Sequence, residues 1–227
     1  MSDATVFAHR KNQLRPTPGA RRLASDAMML PAGWHLPRRR IHPTQIPQPL
    51  LVVVTGRPGS GKTTLAHSLA RAVRCPALCR DELKEGFVNT LGHVTDPPQD
   101  IQRQASETFF AAVQFLLAHQ VTLVAEAAFQ HRVWVPKLES LSEIARIRVI
   151  VCTVDPQLAR ARHIARGLAD PDRERFHEDR PVKAAREGRE LPIGTYDPPR
   201  VGAPTLTVDT SDGYDPEFEA IVSFARA

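Results

Sequence analysis

Leu50-Leu51-Val52-Val53-Val54-Thr55-Gly56-Arg57-Pro58-Gly59-Ser60-Gly61-Lys62-Thr63-Thr64 is the stretch that decides how this 227-residue chain is read. Its first half is a continuous β-branched-rich apolar run, the pattern of a strand covered on both faces. Its second half, residues 56–63, fits G-x-x-x-x-G-K-[ST], the phosphate-binding loop. Glycines at 56, 59 and 61 let successive backbone N–H groups turn inward onto phosphate oxygens. A helix beginning at Lys62 adds the positive end of its dipole to the same anion. Lys62 is then placed to reach the β- and γ-phosphates, and the Thr63 hydroxyl to ligate Mg²⁺. The whole run Gly56, Arg57, Pro58, Gly59, Ser60, Gly61, Lys62, Thr63 and Thr64 is the expected nucleotide cradle, with ATP and Mg²⁺ as its ligands.

Outward from this loop, strand patterns alternate with helical ones. Leu65, Leu69 and Val73 recur every four residues along a helix over 62–74, with Pro76 just past its end. A short strand follows at 77–79 and a helix opens at 81, where Asp81 and Glu82 favour its dipole. Residues 92–98 read as a loop and 101–119 as a long helix. The pattern then gives a strand at 121–125, a helix at 133–142 and a strand at 147–154. Asp155 as N-cap and Pro156 at the first helical position open a helix to residue 166. Residues 167–203 read as charged and irregular, followed by a strand at 205–208 and a helix at 215–226. Five buried-type strands alternating with helices predict an α/β domain: three layers around a mainly parallel five-stranded sheet with right-handed crossovers.

The loop, the short strand after it and Cys79-Arg80-Asp81-Glu82-Leu83-Lys84 resemble the compact P-loop kinases. That group includes polynucleotide 5′-kinases, zeta-type toxins and chloramphenicol phosphotransferase. The resemblance covers about residues 50–225. It implies that Asp81, just after the second strand, faces the acceptor hydroxyl, where a carboxylate can orient it and take its proton. Val121-Thr122-Leu123-Val124-Ala125-Glu126 resembles a Walker-B strand, whose terminal acid would hold Mg²⁺ through water. Ala127, Ala128 and Phe129 stand where that family often has polar residues, which suggests an apolar acceptor pocket. His131 and Arg132 could bind an anionic acceptor. Arg160, Arg162, His163 and Arg166 resemble the family's lid, placed at about 157–203; Arg162 and Arg166, four residues apart on one face, would close on the transferring phosphate. By the same resemblance, residues 208–213 would wrap the adenine.

Charge is unevenly distributed. The chain has 30 Lys+Arg and 25 Asp+Glu, yet residues 1–49 alone hold 8 basic and 2 acidic residues, with 7 of the 20 prolines. Residues 50–227 are therefore close to neutral, which argues against a wholly basic nucleic-acid binder. The basic, Pro-rich stretch reads as a disordered tail or linker with one helical turn near 20–29, and residues 50–227 as the ATP-binding domain. Cys75, Cys79 and Cys152 have no partner spacing for a metal site and read as buried, reduced thiols. No apolar run reaches the roughly 18 residues that span a bilayer, and there is no signal-peptide core, so a cytoplasmic location is expected. The preferred expectation is a kinase transferring the γ-phosphate of Mg-ATP to a hydroxyl of a small molecule. A 5′-hydroxyl polynucleotide kinase using the basic arm, and a non-enzymatic nucleotide-gated binding module, are the alternatives.

Overall fold

The structure, a computed structural model, describes residues 47–91, 100–170, 176, 177 and 179–227. The expected tail, its helical turn and the 92–98 loop fall wholly or almost wholly outside these residues. Five strands form one all-parallel sheet: β1 (Leu50–Gly56), β2 (Ala77–Cys79), β3 (Leu123–Glu126), β4 (Arg146–Thr153) and β5 (Thr205–Asp209). Their spatial order is β2-β3-β1-β4-β5. Seven helices accompany them among the described residues. These are α1 (Lys62–Val73), α2 (Arg80–Leu91), α3 (Ile101–Ala118), α4 (His131–Leu141), α5 (Pro156–Ala169), α6 (Arg180–Arg186) and α7 (Phe218–Arg226).

β1 sits at the centre of the sheet and is buried along its whole length. Its alternating side chains divide between two cores. Leu51 and Val53 pack with Phe109, Val113, Trp134 and Leu138 of α3 and α4 on one face. Leu50, Val52 and Val54 pack with Leu65, Leu69 and Ile221 of α1 and α7 on the other. A strand read as continuously apolar is thus covered on both sides, giving the three-layer arrangement. Phe109, Phe110, Phe129 and Trp134 form an edge-to-face and stacked aromatic cluster at the carboxyl end of the first core.

Several boundaries differ from the sequence pattern for visible reasons. The third strand begins at Leu123, because Thr122 uses its Oγ1 to accept the Leu50 N–H at 3.0 Å. The last helix starts at Phe218 and not at 215, because the Asp215 backbone is paired with Asp209 in both directions. The stretch expected to be wholly irregular contains α6, which packs on α5 where Gly167 leaves room. A Cβ on Gly167 would lie 2.5 Å from Val182 Cγ2.

Residues 187–204 run as a strap without regular structure back toward β5. Tyr196 fastens this strap to the sheet. Its hydroxyl lies 2.6 Å from the fully buried Thr55 Oγ1, which also accepts from Trp134 Nε1 at 3.0 Å and donates to the Ala127 carbonyl at 2.8 Å. One threonine therefore has every hydrogen-bonding position filled by three separate parts of the chain. Thr55→Val should destabilise the protein by about 2–4 kcal/mol, because the buried indole N–H loses its acceptor, whereas Tyr196→Phe should cost about 1 kcal/mol. Urea denaturation of both variants checks the difference.

Candidate active site

The turn between β1 and α1 is shaped by glycines at the positions the motif requires. Gly59 and Gly61 have φ of 84° and 71°, in the left-handed region that glycine adopts without strain. Gly59 also sits against α5, where a Cβ would lie 2.0 Å from the Ala159 carbonyl oxygen. The N-terminus of α1 has no side-chain cap and no acid in its first turn. Its first N–H groups have no partner within the helix, so this end is built to receive an anion. The Ser60 hydroxyl beside it is buried with no hydrogen-bond partner. These features fit a nucleotide phosphate chain.

The parallel register carries Glu126 to the same place. β3 pairs with β1 so that Glu126 stands opposite Val54, two residues before the loop begins. Its carboxylate accepts from Thr63 Oγ1 at 3.0 Å and lies 3.5 Å from Lys62 Nζ. Lys62 and Glu126 are 7% and 3% exposed, so this is a buried ion pair. Burial drives the Glu126 pKa above the ordinary carboxylate value, and the Asp81 charge adds to this against the pull of Lys62 and Thr63. The oxygens of Thr63 and Glu126 are the hard donors that Mg²⁺ takes, alongside water and phosphate. The pair fits that ion.

Asp81 lies in the first turn of α2, where Arg80 donates to its carboxylate at 3.0 Å. The other side of the Arg80 guanidinium is tied to Gln102 of α3, which fixes the pair in place. Burial works against ionisation of Asp81, but the Arg80 hydrogen bond and the charges of Lys62, Arg80 and His177 outweigh it. Its pKa is held below the usual aspartate value. The two carboxylates of the site are thus pushed apart, one toward protonation and one away from it.

Lys62 and Asp81 line a cavity of about 320 Å³, together with Ala128, His163, Arg166 and His177 among others. A second cavity of about 460 Å³ adjoins it, sharing Pro58, Ala128, His163, Arg180 and Pro181, and is closed by strap residues 191–196. Lys62, Asp81 and Arg166, expected at the site from sequence, line one cavity. Arg162 does not join them: its guanidinium donates to the carbonyls of Thr210 and Ser211 at 2.9 and 2.7 Å. Four residues along a helix put two side chains on one face, but the loop after β5 intercepts the first. Arg160 is drawn to the Leu191 carbonyl in the strap.

The expected apolar pocket from Ala127, Ala128 and Phe129 is not built as such. Ala127 is buried in the core and Phe129 joins the aromatic cluster, leaving only Ala128 at the cavities. His131 receives the Arg200 backbone N–H on Nδ1 at 3.1 Å and so holds the strap, while Arg132 lies exposed on α4. Four further residues shape the site; His177 and Tyr196 fall in the stretch expected as the lid, and Thr210 in the 208–213 turn expected to wrap the adenine. His177, buried and paired with Glu85 at 2.7 Å, lines the first cavity. Thr210 places its Oγ1 3.0 Å from the Ser60 carbonyl and braces the phosphate loop. Thr55 and Tyr196 pin the strap beside the second cavity.

A family model described as an AAA domain matches residues 51–192, and the chain belongs to that family. No curated protein matches it. Among solved structures, a candidate kinase from Chloroflexus aurantiacus J-10-fl is 27% identical, with a TM-score of 0.62 over 79% of this chain and 97% of that one. The APS kinase CysC of Mycobacterium tuberculosis, solved with AMPPNP and APS, shares the fold at 18% identity. Its TM-score is 0.54 over 80% of this chain and all of the other. APE1195 is similar at 17% identity, with a TM-score of 0.53 over 80% and 97% of the two chains. The protein is a member of the compact P-loop kinase group, a nucleotide-using enzyme of kinase type. No helix of the described residues is long and apolar enough to cross a membrane.

The buried Lys62–Glu126 pair sets a stability test of this geometry. Lys62→Met should cost about 3–5 kcal/mol, because it leaves a buried carboxylate without its counter-charge. Adding Glu126→Gln should restore most of that loss. Urea denaturation of the single and double variants, without nucleotide, checks the coupling.

Proposed function

We propose that this protein is an ATP-dependent phosphotransferase that moves the γ-phosphate of Mg-ATP to a hydroxyl of a small molecule. The observation that carries the reading is the convergence of Lys62, Thr63 and Glu126 at the head of α1, with Asp81 and Arg166 lining the same cavity as Lys62. In this reading, the backbone of residues 56–64 and the Lys62 ammonium hold the phosphate chain. Thr63 and Glu126 hold magnesium. The bound Mg-ATP supplies the phosphoryl group and the cation charge that balances it, and the protein contributes position and electrostatics.

Asp81 suits the acceptor side. A carboxylate kept ionised by Arg80 can accept a hydrogen bond from the acceptor hydroxyl, fix its oxygen toward the phosphate and take its proton. Arg166 offers planar N–H donors to the equatorial oxygens as charge spreads over them. Arg162 has a positioning role: it holds the Thr210–Ser211 loop, and through Thr210 that loop braces the phosphate loop. The two adjoining cavities give room for a small acceptor between α2, α5, α6 and the strap.

The test is transfer of γ-³²P from Mg-ATP into a fractionated metabolite extract. A labelled small-molecule product is expected with the wild type. Lys62→Ala and Asp81→Asn should each lower its rate by about 10²-fold or more, and Arg166→Ala by a comparable factor. ATP binding by the wild type with no labelled product from any fraction would overturn the proposal and favour a nucleotide-gated binding module.

A further inference from the structure

On the α1 side of the phosphate loop, among residues that do not line the cavities just described, three chemically different ligand groups meet. His67 comes from the second turn of α1, Cys79 is the last residue of β2, and Glu82 lies in the first turn of α2. The sequence gives no hint of this, since 12 and 3 residues separate them and no C-x-x-C or H-x-x-x-H spacing is present. His67 Nε2 lies 3.6 Å from Cys79 Sγ and 2.6 Å from Glu82 Oε1, and all three ligand atoms fall within 4.8 Å of one another. We propose that His67 Nε2, Cys79 Sγ and a Glu82 carboxylate oxygen form a three-ligand site for a zinc-class divalent ion, distinct in its ligands from the magnesium site but adjoining it, since Glu126 lies beside the Cys79 thiol.

The geometry suits that ion. Zinc bonds of about 2.1 Å to imidazole nitrogen and about 2.3 Å to sulfur, at a tetrahedral angle, separate the two atoms by about 3.6 Å. The observed nitrogen-to-sulfur distance already has this value. The imidazole–carboxylate contact is a hydrogen bond and must open to about 3.4 Å for both to ligate one ion. The Glu82 side chain is 50% exposed and can make that movement, while Cys79 is held by the sheet. On binding, the thiol releases its proton to solvent, and the neutral imidazole carries its remaining proton on Nδ1. With the His67 and Glu82 side chains 41% and 50% exposed, water would take the fourth position.

The donor set also separates the two metals. A sulfur and an imidazole nitrogen favour borderline ions such as Zn²⁺ or Co²⁺, whereas Mg²⁺ takes oxygen. The local charge points the same way. Glu126 stands opposite Cys79 in the strand register and Glu82 lies within 4.8 Å of its sulfur, so the local charge favours a cation. An ion here would tie α1, β2 and α2 together one residue from Asp81.

Co²⁺ is the probe, because ligation by sulfur gives a thiolate-to-cobalt charge-transfer absorption that histidines elsewhere in the chain cannot produce. The full-length protein should bind one equivalent with that band, excess Mg²⁺ should leave the band unchanged, and Zn²⁺ should remove it. Cys79→Ser should abolish the band, while Cys75→Ser and Cys152→Ser keep it. His67→Ala and Glu82→Ala, at a half-buried and an exposed position, should each weaken binding at least tenfold, which keeps the test decisive if the buried Cys79 variant does not fold. No stoichiometric sulfur-ligated Co²⁺, or a band that survives in Cys79→Ser or is unmoved in His67→Ala and Glu82→Ala, would overturn the proposal. None of these readouts depends on phosphotransfer.

Discussion

The contact on which the rest of the molecule turns is the one between Lys62, Thr63 and Glu126. It is made of a helix N-terminus and a strand C-terminus that are far apart in sequence, and it forms only because β3 lies directly beside β1 in parallel register. A buried lysine and a buried glutamate are each costly to desolvate alone. Together, with the Thr63 hydroxyl satisfying one carboxylate oxygen, they hold a charge arrangement at the mouth of the phosphate loop. The central position of β1, covered by α3 and α4 on one face and α1 and α7 on the other, keeps that arrangement rigid.

Around this pair the other parts fall into place by the rule for open parallel sheets, in which ligands gather outside the carboxyl ends of the strands. Asp81 follows β2, Ala128 follows β3, and α5 with its arginines follows β4. The loop after β5 closes the group through Thr210. The strap adds a wall that the sheet alone would lack, and its anchorage on Thr55 ties it to the strand that leads into the phosphate loop. One central strand thereby positions both the phosphate cradle and the far wall of the adjoining cavity.

Much of the fold was legible because its determinants are local. The apolar run at 50–54 and the glycine spacing at 56, 59 and 61 state the strand, turn and helix almost without ambiguity, and Asp155-Pro156 states where α5 begins. The Asp155 side chain does accept from the Gln157 and Leu158 N–H groups. The boundaries that shifted depend on distant partners: Thr122 on Leu50, and Asp215 on Asp209. At the candidate site, Lys62 and Thr63 were legible from a motif, and Asp81 and Glu126 through the resemblance to the compact P-loop kinases. His177 and Tyr196 were not, because a lone polar residue in an irregular stretch carries no periodic signal, and Thr210 lay in a turn expected at the adenine, with nothing in the sequence to announce its bond to the Ser60 carbonyl. The different fates of Arg162 and Arg166 were equally hidden, since helical spacing says which residues share a face and nothing about what a neighbouring loop takes up. The three-ligand cluster at His67, Cys79 and Glu82 is legible only once α1, β2 and α2 are packed together.

The central claim is that the Lys62–Thr63–Glu126 cluster is a magnesium-nucleotide site. Calorimetric titration of a non-hydrolysable ATP analogue, with and without Mg²⁺, into the wild type and Glu126→Gln tests it most directly. The account predicts that Mg²⁺ tightens binding to the wild type at least tenfold and that this gain disappears in Glu126→Gln. Equal affinity with and without Mg²⁺, or a full magnesium effect in Glu126→Gln, would contradict it.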